Sequence, residues 1–184
     1  MKDLGTVTLE TERLLLRRIA IEDTDAMYEN WASDPLVAKG AGWPVHQKRE
    51  ETARIVSGWV KEYEAPHCYH WVVIEKQSGK PFGTISGKCA SERNETCEVG
   101  YCYGRTWWGK GYATEALKEV LRFLLGDVGL FLIEAKHRRG NPASGRVMEK
   151  ADMRFEAALK NRVYDAETGV RDDYLIYSIE RKNE

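Results

Sequence analysis

The most informative stretch of the sequence is Gly104-Arg105-Thr106-Trp107-Trp108-Gly109-Lys110-Gly111-Tyr112-Ala113-Thr114-Glu115-Ala116. It lies between a strand-like run and the most regular amphipathic helix pattern in the chain. Glycines in such a turn let the backbone approach a ligand closely, and the first amides of the following helix favour a phosphate group. The turn is therefore a candidate cradle for a pyrophosphate. The alternative is that its glycines serve only a tight turn and close helix packing.

Two nucleotide-binding motifs fit this turn only in part. From Gly104 to Lys110 the sequence satisfies the first positions of a P-loop, but Gly111 stands where Ser or Thr would hold Mg²⁺. The spacing also fails the dinucleotide motif G-x-G-x-x-G, because position 114 is Thr. Neither a nucleoside triphosphatase nor a dinucleotide-dependent enzyme is favoured.

Alternating strands and helices on both sides of the turn predict a mixed α/β chain. Upstream we predict a strand over 9–18, a helix from Asp23 or Thr24 to about Ser33 stopped by Asp34-Pro35, a loop over 40–44 and a helix over about 47–63. Strands over 69–75, 82–89 and 97–103 are separated by turn sequences, which predicts an antiparallel meander.

Downstream of the turn the pattern continues as helix, strand, helix and two closing strands. The predicted elements are a helix from 113 to 124, a wholly apolar strand over 130–133 and a helix from Asn141-Pro142 to about Ala151. The two closing strands flank Glu167-Thr168-Gly169, and the second covers 174–179.

Length and composition describe one domain over residues 1–184. Lys and Arg number 28 and Asp and Glu 29, so the net charge of −1 provides no cationic field for nucleic acid or an anionic membrane. The apolar content of 42% is that of an ordinary globular protein, and no apolar run reaches the roughly 18 residues of a membrane span. The N-terminus lacks the features of a signal peptide, so we expect a cytoplasmic protein.

The cysteine pattern predicts neither a disulfide scaffold nor a metal site. The four cysteines form no C-x-x-C pair. His67, Cys68 and His70 stand at the start of an apolar strand, where strand packing is the favoured interpretation over metal ligation.

Several separate motifs, in the right order, resemble the GNAT acetyltransferases, in particular the branch that acetylates the N-terminal alanine or serine of ribosomal proteins. They are Thr11-Glu12-Arg13-Leu14-Leu15-Leu16-Arg17, Glu98-Val99-Gly100-Tyr101, 108–116, Asn141-Pro142-Ala143-Ser144, Glu149-Lys150 and 173–178. The resemblance covers nearly the whole chain. It implies an α/β (α+β) fold with a mixed, mostly antiparallel sheet flanked by helices and a splay between the fourth and fifth core strands.

The sequence departs from the family pattern at two places. Trp108 stands where the family has Gln or Arg, which leaves the backbone cradle intact but removes the usual side chain. Ala151-Asp152-Met153 replaces the usual Leu-Gly-Phe, and Asp can take the left-handed conformation that ends a helix, so we expect a similar turn.

The resemblance implies acetyl-CoA as cosubstrate and assigns its contacts. The residues expected at the pyrophosphate are Trp108, Gly109, Lys110, Gly111, Tyr112, Ala113 and Thr114. The pantetheine arm would pair with the exposed backbone of Tyr101, Cys102 and Tyr103 by strand addition. Asn141 matches the family residue that binds the arm from the other side.

Two residues are candidates for the proton transfers of amine acetylation. An α-amine has a pKa of about 8, so a base must take its proton before it attacks the thioester. Glu98 matches a position that is often acidic in this branch and is the first candidate, directly or through water, with Glu92 and Glu95 as alternatives. Ser144, or more weakly Tyr164, is the candidate donor to the CoA thiolate. The plain alternatives are a solvent-facing Glu98 and a helix-capping Ser144.

Other side chains of this region receive a packing interpretation, with one exception. Cys102 is expected to pack, because no His lies at a spacing that specifies a Cys-His pair. Trp31 and Trp59 fall at helical spacing and are expected in the core, whereas Trp43 in the glycine-rich loop is the candidate wall of the acceptor cleft.

The acceptor stays open at this level. A protein N-terminus, such as that of a ribosomal protein, competes with a small amine such as a polyamine or an aminoglycoside, and a concave acidic site would favour the polyamine. A non-catalytic acyl-CoA-binding module would use the same backbone cradle. The sequence also leaves open the acyl-chain preference and the oligomeric state, including a homodimer.

Overall fold

The computed structural model describes residues 2–65, 67–164 and 169–182. Within these residues eight strands form one sheet in the order β1-β2-β3-β4-β5-β6-β8-β7. The strands are β1 (Leu9–Glu10), β2 (Leu14–Arg17), β3 (Tyr69–Glu75), β4 (Lys80–Ser91), β5 (Thr96–Tyr103), β6 (Leu132–Arg138), β7 (Arg154–Tyr164) and β8 (Arg171–Glu180). Neighbouring strands run antiparallel except β5 and β6, which are parallel. The predicted mixed, mostly antiparallel sheet is confirmed.

The helices are α1 (Thr24–Met27), α2 (Pro35–Ala41), α3 (Arg49–Glu62), α4 (Tyr112–Arg122) and α5 (Pro142–Lys150). π-helical turns over Tyr28–Ala32 and Phe123–Val128 extend α1 and α4. No helix in the described part of the chain is long and apolar enough to cross a membrane.

Helices pack on both faces of the sheet, because successive residues of its central strands point to opposite faces and are apolar on each. On one face, Trp71 and Val73 join α4 and α5 in the larger core. On the other face, Val72 and Ile74 pack with α1, the π-helical turn that extends it, α2 and α3 in a smaller core. The sheet is therefore buried on both faces in its centre, which explains the apolar run of β3.

The first helix ends at Asp34-Pro35 as predicted, but α2, which begins there, was not predicted, and the start of the loop over 40–44 is therefore wrong. The Asp34 side chain accepts a hydrogen bond from Leu36 N at 2.9 Å, and Pro35 occupies the first turn of α2. An aspartate cap followed by proline opens a helix as readily as it ends one. Gly40 and Ala41 are therefore helical, and the loop begins at Gly42.

The apolar strand predicted over 130–133 is also displaced. β6 begins at Leu132 and runs to Arg138, with Ile133, Ala135 and His137 buried. Charged residues alternate with these buried ones, so the strand has one buried face and one face toward a cleft. The sequence prediction ended too early because it required both faces to be apolar.

The C-terminal part agrees with the predicted order of elements. β8 contains the strand predicted over 174–179, and α5 ends close to the predicted residue. Asp152 has a φ of 65°, the left-handed turn expected after α5. The predicted turn residues Glu167 and Thr168 lie outside the described residues.

Candidate active site

The parallel strands β5 and β6 separate part-way along their length. They pair only at Thr96–Leu132, Cys97–Ile133 and Glu98–Glu134. β5 then continues to Tyr103, still paired on its other side with β4, while β6 continues to Arg138 beside β8. The splay leaves the β6-facing backbone groups of β5 available to an extended ligand, as in strand addition.

The glycine turn lies directly after the splayed part of β5. Gly109 and Gly111 have φ values of 75° and 83°, which only glycine adopts without strain. The first helical hydrogen bond of α4 runs from Glu115 N to Gly111 O at 3.1 Å. The amides of Tyr112, Ala113 and Thr114 therefore have no acceptor within the helix, and they form an anion-binding N-terminus.

The N-terminal segment holds this turn in place. Glu115 Oε1 accepts hydrogen bonds from Thr11 Oγ1 at 2.5 Å and Arg13 N at 3.0 Å, and Arg13 Nε donates to Glu115 Oε2 at 2.7 Å. Arg13 also donates to Lys110 O at 3.0 Å and covers the Tyr112 ring at 4.5 Å. Burial opposes ionisation of Glu115, but the hydrogen bonds from Thr11 and Arg13 lower its pKa overall.

The two tryptophans fix the start of the turn. Trp107 stacks on Phe82 with ring centroids 5.4 Å apart. Trp108 is half exposed, and its indole Nε1 donates to the Tyr103 carbonyl at 2.7 Å. The unusual tryptophan at position 108 thus bonds the last residue of β5 and couples the splayed strand to the turn.

A cavity of about 770 Å³ joins the splay, the turn, α2 and the start of α5. Of the residues predicted for the site, those that line it are Glu98, Tyr101, Cys102, Tyr103, Trp108, Gly109, Gly111, Tyr112, Ala113, Thr114, Asn141 and Ser144. Lys110 lies beside it, with its carbonyl engaged by Arg13. Residues more than 40 positions apart in the chain therefore meet at one cleft.

Tyr101 and Ser144 meet across this cleft. The Tyr101 hydroxyl donates to the Ser144 carbonyl at 3.0 Å and also lies 3.0 Å from Ser144 Oγ. Burial raises the pKa of Tyr101, and this outweighs the opposite effect of the hydrogen bond to Ser144. The phenol is therefore a permanent donor at neutral pH.

Glu98 stands where the two strands separate. Its Oε2 lies 2.8 Å from Lys136 Nζ, and both side chains are partly exposed. Lys136 Nζ is also 5.3 Å from the centre of the Tyr174 ring. The carboxylate thus faces the cleft with one lysine beside it and access to solvent.

Asn141 connects the start of α5 to α2. Its Oδ1 accepts from Ser144 N and its Nδ2 donates to Gly40 O, both at 3.4 Å. Arg105 and Asp34 form an ion pair at 3.0 Å that joins the glycine turn to the N-terminus of α2. α2 is therefore the wall of the cleft opposite the splayed strands.

Comparison with known proteins agrees with this geometry. Residues 13–154 match the acetyltransferase (GNAT) domain family. The chain is 30% identical to the N-acetyltransferase p20 of Bacillus licheniformis, over 94% of this chain and 95% of that protein. The chain belongs to the GNAT acetyltransferases.

Two further relatives support the membership in this family. A GNAT-family acetyltransferase from Bacillus anthracis has a TM-score of 0.83 and 28% identity, covering 95% of this chain and 99% of that chain. The ribosomal-protein-serine acetyltransferase of Escherichia coli is 24% identical, over 84% of this chain and 89% of that protein. The protein is an N-acetyltransferase.

The cysteine that lines the acetyltransferase cleft belongs to the smaller core. Cys102 is buried in the smaller core, and burial raises the pKa of its thiol to about 12. A thiol with this pKa holds almost no thiolate at neutral pH, and the thiolate is the nucleophilic form. The packing interpretation of Cys102 agrees with its position.

The acetyltransferase cleft does not use Trp43, which was predicted as its wall. Trp43 packs against the smaller core beneath α1 and α3, because the chain folds inward after Gly42 ends α2. Trp31 is fully buried there and Trp59 packs against the same core, as predicted.

The alternative proton-transfer residues lie away from the acetyltransferase cleft. Glu92 and Glu95 are at the turn between β4 and β5, and Tyr164 is an exposed residue at the end of β7. None of the three lines the cavity. Among the described residues, no group of three or more His, Cys, Asp and Glu side chains is arranged to hold a metal ion.

The sequence interpretation missed several basic residues that line the cleft. Lys39 of α2 and Lys136 and Arg138 of β6 line the cavity. Arg13 was part of a recognised motif but had no assigned role. Only an explicit search for alternation in β6 would have found Lys136 and Arg138, because their face depends on strand register.

Proposed function

We propose that this acetyltransferase transfers the acetyl group of acetyl-CoA to the N-terminal amine of a protein, such as a ribosomal protein. The supporting observation is the charge of the cleft. The charged residues that line it, among those described, are basic at Lys39, Lys136, Arg138, Arg146 and Lys150 and acidic at Glu98 and Asp172. A polyamine or an aminoglycoside is a polycation and would be repelled by this lining. The similarity to the ribosomal-protein-serine acetyltransferase also favours a protein acceptor.

We also infer that residues 1–184 form a single acetyltransferase domain. The strand Leu14–Arg17 at one end and the strand Arg171–Glu180 at the other belong to the same sheet. The acceptor cleft would then be formed by α2 and the surrounding strands of this sheet.

In the proposed cosubstrate site, the turn before α4 holds the pyrophosphate. The free amides of Tyr112, Ala113 and Thr114 and the flexible backbone of Gly109 and Gly111 suit a dianionic group. No described group lies within 4 Å of a side chain built at Gly109, so the ligand has space there. The splayed backbone of 101–103 takes the pantetheine arm, and Asn141 closes it from α5.

In the proposed reaction, two side chains move the protons. Acetyl-CoA supplies an activated thioester. Glu98, held beside Lys136, accepts a proton from the ammonium group, directly or through a water molecule, and so frees the amine for attack. The amine nitrogen bonds to the thioester carbon and gives a tetrahedral intermediate whose nitrogen still carries an extra proton. As the carbon–sulfur bond breaks, Ser144 donates its hydroxyl proton to the departing thiolate and recovers a proton, through water, from that nitrogen, with Tyr101 holding the serine in position.

A panel of acceptors tests the proposal. Purified protein with acetyl-CoA is incubated with peptides that differ at the N-terminus, with spermidine and with an aminoglycoside, and products are detected by mass spectrometry. We expect acetylation of a subset of peptide N-termini, and about 100-fold slower turnover in the Glu98→Gln variant.

Faster acetylation of the polycations than of every peptide would contradict the protein acceptor. Equal turnover of Glu98→Gln and the unmodified protein would remove Glu98 from the base role. Ser91→Ala, at the last residue of β4, serves as a control because Ser91 lies outside the cavity.

A further inference from the structure

Arg138 lines the cleft at the end of β6. Ile133 and Ala135 of that strand are buried in the larger core with α4 and α5, and the buried His137 lies beside Gly145 of α5. Alternation puts Lys136 and Arg138 on the opposite face, toward α2. The free amides of the glycine turn belong to α4, which packs on the other face of the sheet.

The Arg138 side chain lies beside the end of α2. Gly42 ends that helix with a φ of 79°, and a Cβ atom at Gly42 would lie only 2.8 Å from Arg138 Nη2. The positive φ favours glycine at this turn, and the absence of a side chain leaves room for the arginine. Arg138 is half-buried.

No carboxylate among the described residues pairs with this guanidinium, because the nearby acidic groups have other partners. Glu98 binds Lys136 at 2.8 Å. Asp172 accepts hydrogen bonds from the amides of Gly140 and Asp173, at 3.1 Å and 2.8 Å. Asp173 binds Arg139 at 2.9 Å. A half-buried arginine that lines a cavity, with no counter-ion among the described residues, is suited to bind a carboxylate or a phosphate.

We propose that Arg138 binds an anionic group carried by the acceptor, so that the preferred substrates are peptide N-termini followed closely by an acidic or phosphorylated residue. This inference rests on the proposed function and specifies its substrate class. Lys39 of α2 lies on the same cleft and adds positive potential there. The anionic residue would anchor the peptide while its amine reaches the thioester.

The experiment varies the acceptor and the enzyme together. The best-acetylated peptide from the acceptor panel is made with Asp, phosphoserine, Asn or Lys at positions two to four. The enzymes are the unmodified protein, Arg138→Gln, Arg138→Lys and the control Arg93→Gln, an exposed arginine of the turn between β4 and β5. Values of kcat/KM are measured for each pair, the Kd of acetyl-CoA is measured by calorimetry, and thermal melting checks the fold.

For the unmodified protein we expect kcat/KM at least about tenfold higher for the Asp or phosphoserine peptide than for the Asn peptide. Arg138→Gln should lose that preference, so that its kcat/KM values for the Asp, phosphoserine and Asn peptides become equal within about twofold, while its Kd for acetyl-CoA stays the same. Arg138→Lys should retain part of the preference, and Arg93→Gln all of it. The Asp and phosphoserine peptides distinguish the carboxylate from the phosphate as the preferred anion.

Three results would overturn the inference. The first is that the unmodified protein acetylates the Asp, phosphoserine and Asn peptides equally. This result does not depend on whether any variant folds. The second is an equal loss on all peptides in Arg138→Gln, and the third is a weaker affinity for acetyl-CoA in that variant. Acetylation of no peptide at all would instead contradict the proposed function, so the two failures are distinguishable.

Discussion

At the scale of single residues, the Tyr101–Ser144 contact has the most direct chemical consequence. The phenol has one proton and lies 3.0 Å from both oxygens of Ser144. Because burial raises the pKa of Tyr101, the phenol is protonated at neutral pH and these contacts fix the position of Ser144. With Ser144 as the proposed donor, Tyr101 is a positioning residue that acts through it.

Replacing Ser144 with alanine should lower kcat about 100-fold, since general acid catalysis contributes about that much. Tyr101→Phe should lower kcat about tenfold, because the serine keeps its hydroxyl but loses its orientation. Steady-state kinetics with the best peptide, and calorimetry for the acetyl-CoA Kd, measure these effects.

A readout based on the leaving group separates acid catalysis from packing. With the selenoester analogue of acetyl-CoA, whose selenol is more acidic and needs no proton donor, both losses should shrink. Losses of the same size with the thioester and the selenoester would show that Ser144 only caps α5.

The conformation or capping role of a residue was predictable where one local property decided it. Gly111 and Asp152 were recognisable because a positive φ favours glycine and, less strongly, aspartate. Asn141 was recognisable as a cap followed by proline. Trp43 was misplaced, because an aromatic residue in a loop carries no local sign of which side of the chain it will pack on.

At the scale of elements, the N-terminal segment acts as a brace for α4. Thr11 and Arg13 precede β2, and their hydrogen bonds to Glu115 fix the first turn of a helix roughly 100 residues later in the chain. Arg13 adds a bond to Lys110 O within the glycine turn. The brace therefore stabilises the proposed anion site from outside the cavity.

The brace predicts a pH-dependent contribution to stability. Glu115 has a lowered pKa in the folded protein, so its contribution is complete above its usual value of about 4.3 and is lost as the pH falls through the lowered folded pKa. Arg13→Gln should cost about 1 kcal/mol in the free energy of unfolding at pH 7 and less at pH 3. Urea unfolding at several pH values measures the difference.

The matched control for the brace is Arg54→Gln, on the exposed surface of α3. It should change the free energy of unfolding by less than Arg13→Gln at neutral pH. A difference between Arg13→Gln and the unmodified protein that stays constant from pH 7 to pH 3 would contradict the ionic part of the brace.

Elements with strong periodicity were predictable, and short ones were not. α3, α4 and the meander from β3 to β5 follow from spacing that repeats over many residues. α2 has only seven residues, and its aspartate–proline start reads locally as a stop. β6 extends further than predicted, because the prediction required both faces of the strand to be apolar. Its charged residues face a cleft, and that cleft is formed by neighbouring elements that the sequence of β6 does not reveal.

At the scale of the whole molecule, the splay is a gap in an otherwise continuous sheet. β4 and β8 hold the outer sides of β5 and β6, while the registered pairs between these two strands end at Glu98 and Glu134. Each face of the sheet is covered by its own core. A ligand that bonds both edges of the gap should stabilise the entire fold.

Acetyl-CoA at 100 times its Kd should raise the free energy of unfolding by about 2.7 kcal/mol. For a chain of this size the melting temperature should rise by about 5–10 °C. Hydrogen exchange should show new protection at the backbone of 101–103 and at the start of α4. Thermal scanning and exchange mass spectrometry make these measurements.

Acetyl-pantetheine is the control for this ligand effect, because it lacks the pyrophosphate. It should protect residues 101–103 but not the start of α4, and it should raise the melting temperature less. Protection of the start of α4 by acetyl-pantetheine would contradict the assignment of those amides to the pyrophosphate.

The sequence by itself determined the strand-to-helix glycine turn, the main helices, the meander and the family. These depend on backbone preferences and periodicities that act over a few neighbouring residues. Tertiary structure alone decided that Arg13 braces α4, that Glu98 lies beside Lys136 and that Arg138 faces the cleft with no carboxylate partner in the part of the chain that the structure describes. These arrangements depend on strand register and on which face of the sheet each helix covers. Both are set by contacts between residues that are far apart in the chain, so no local stretch of sequence reveals which side chains meet.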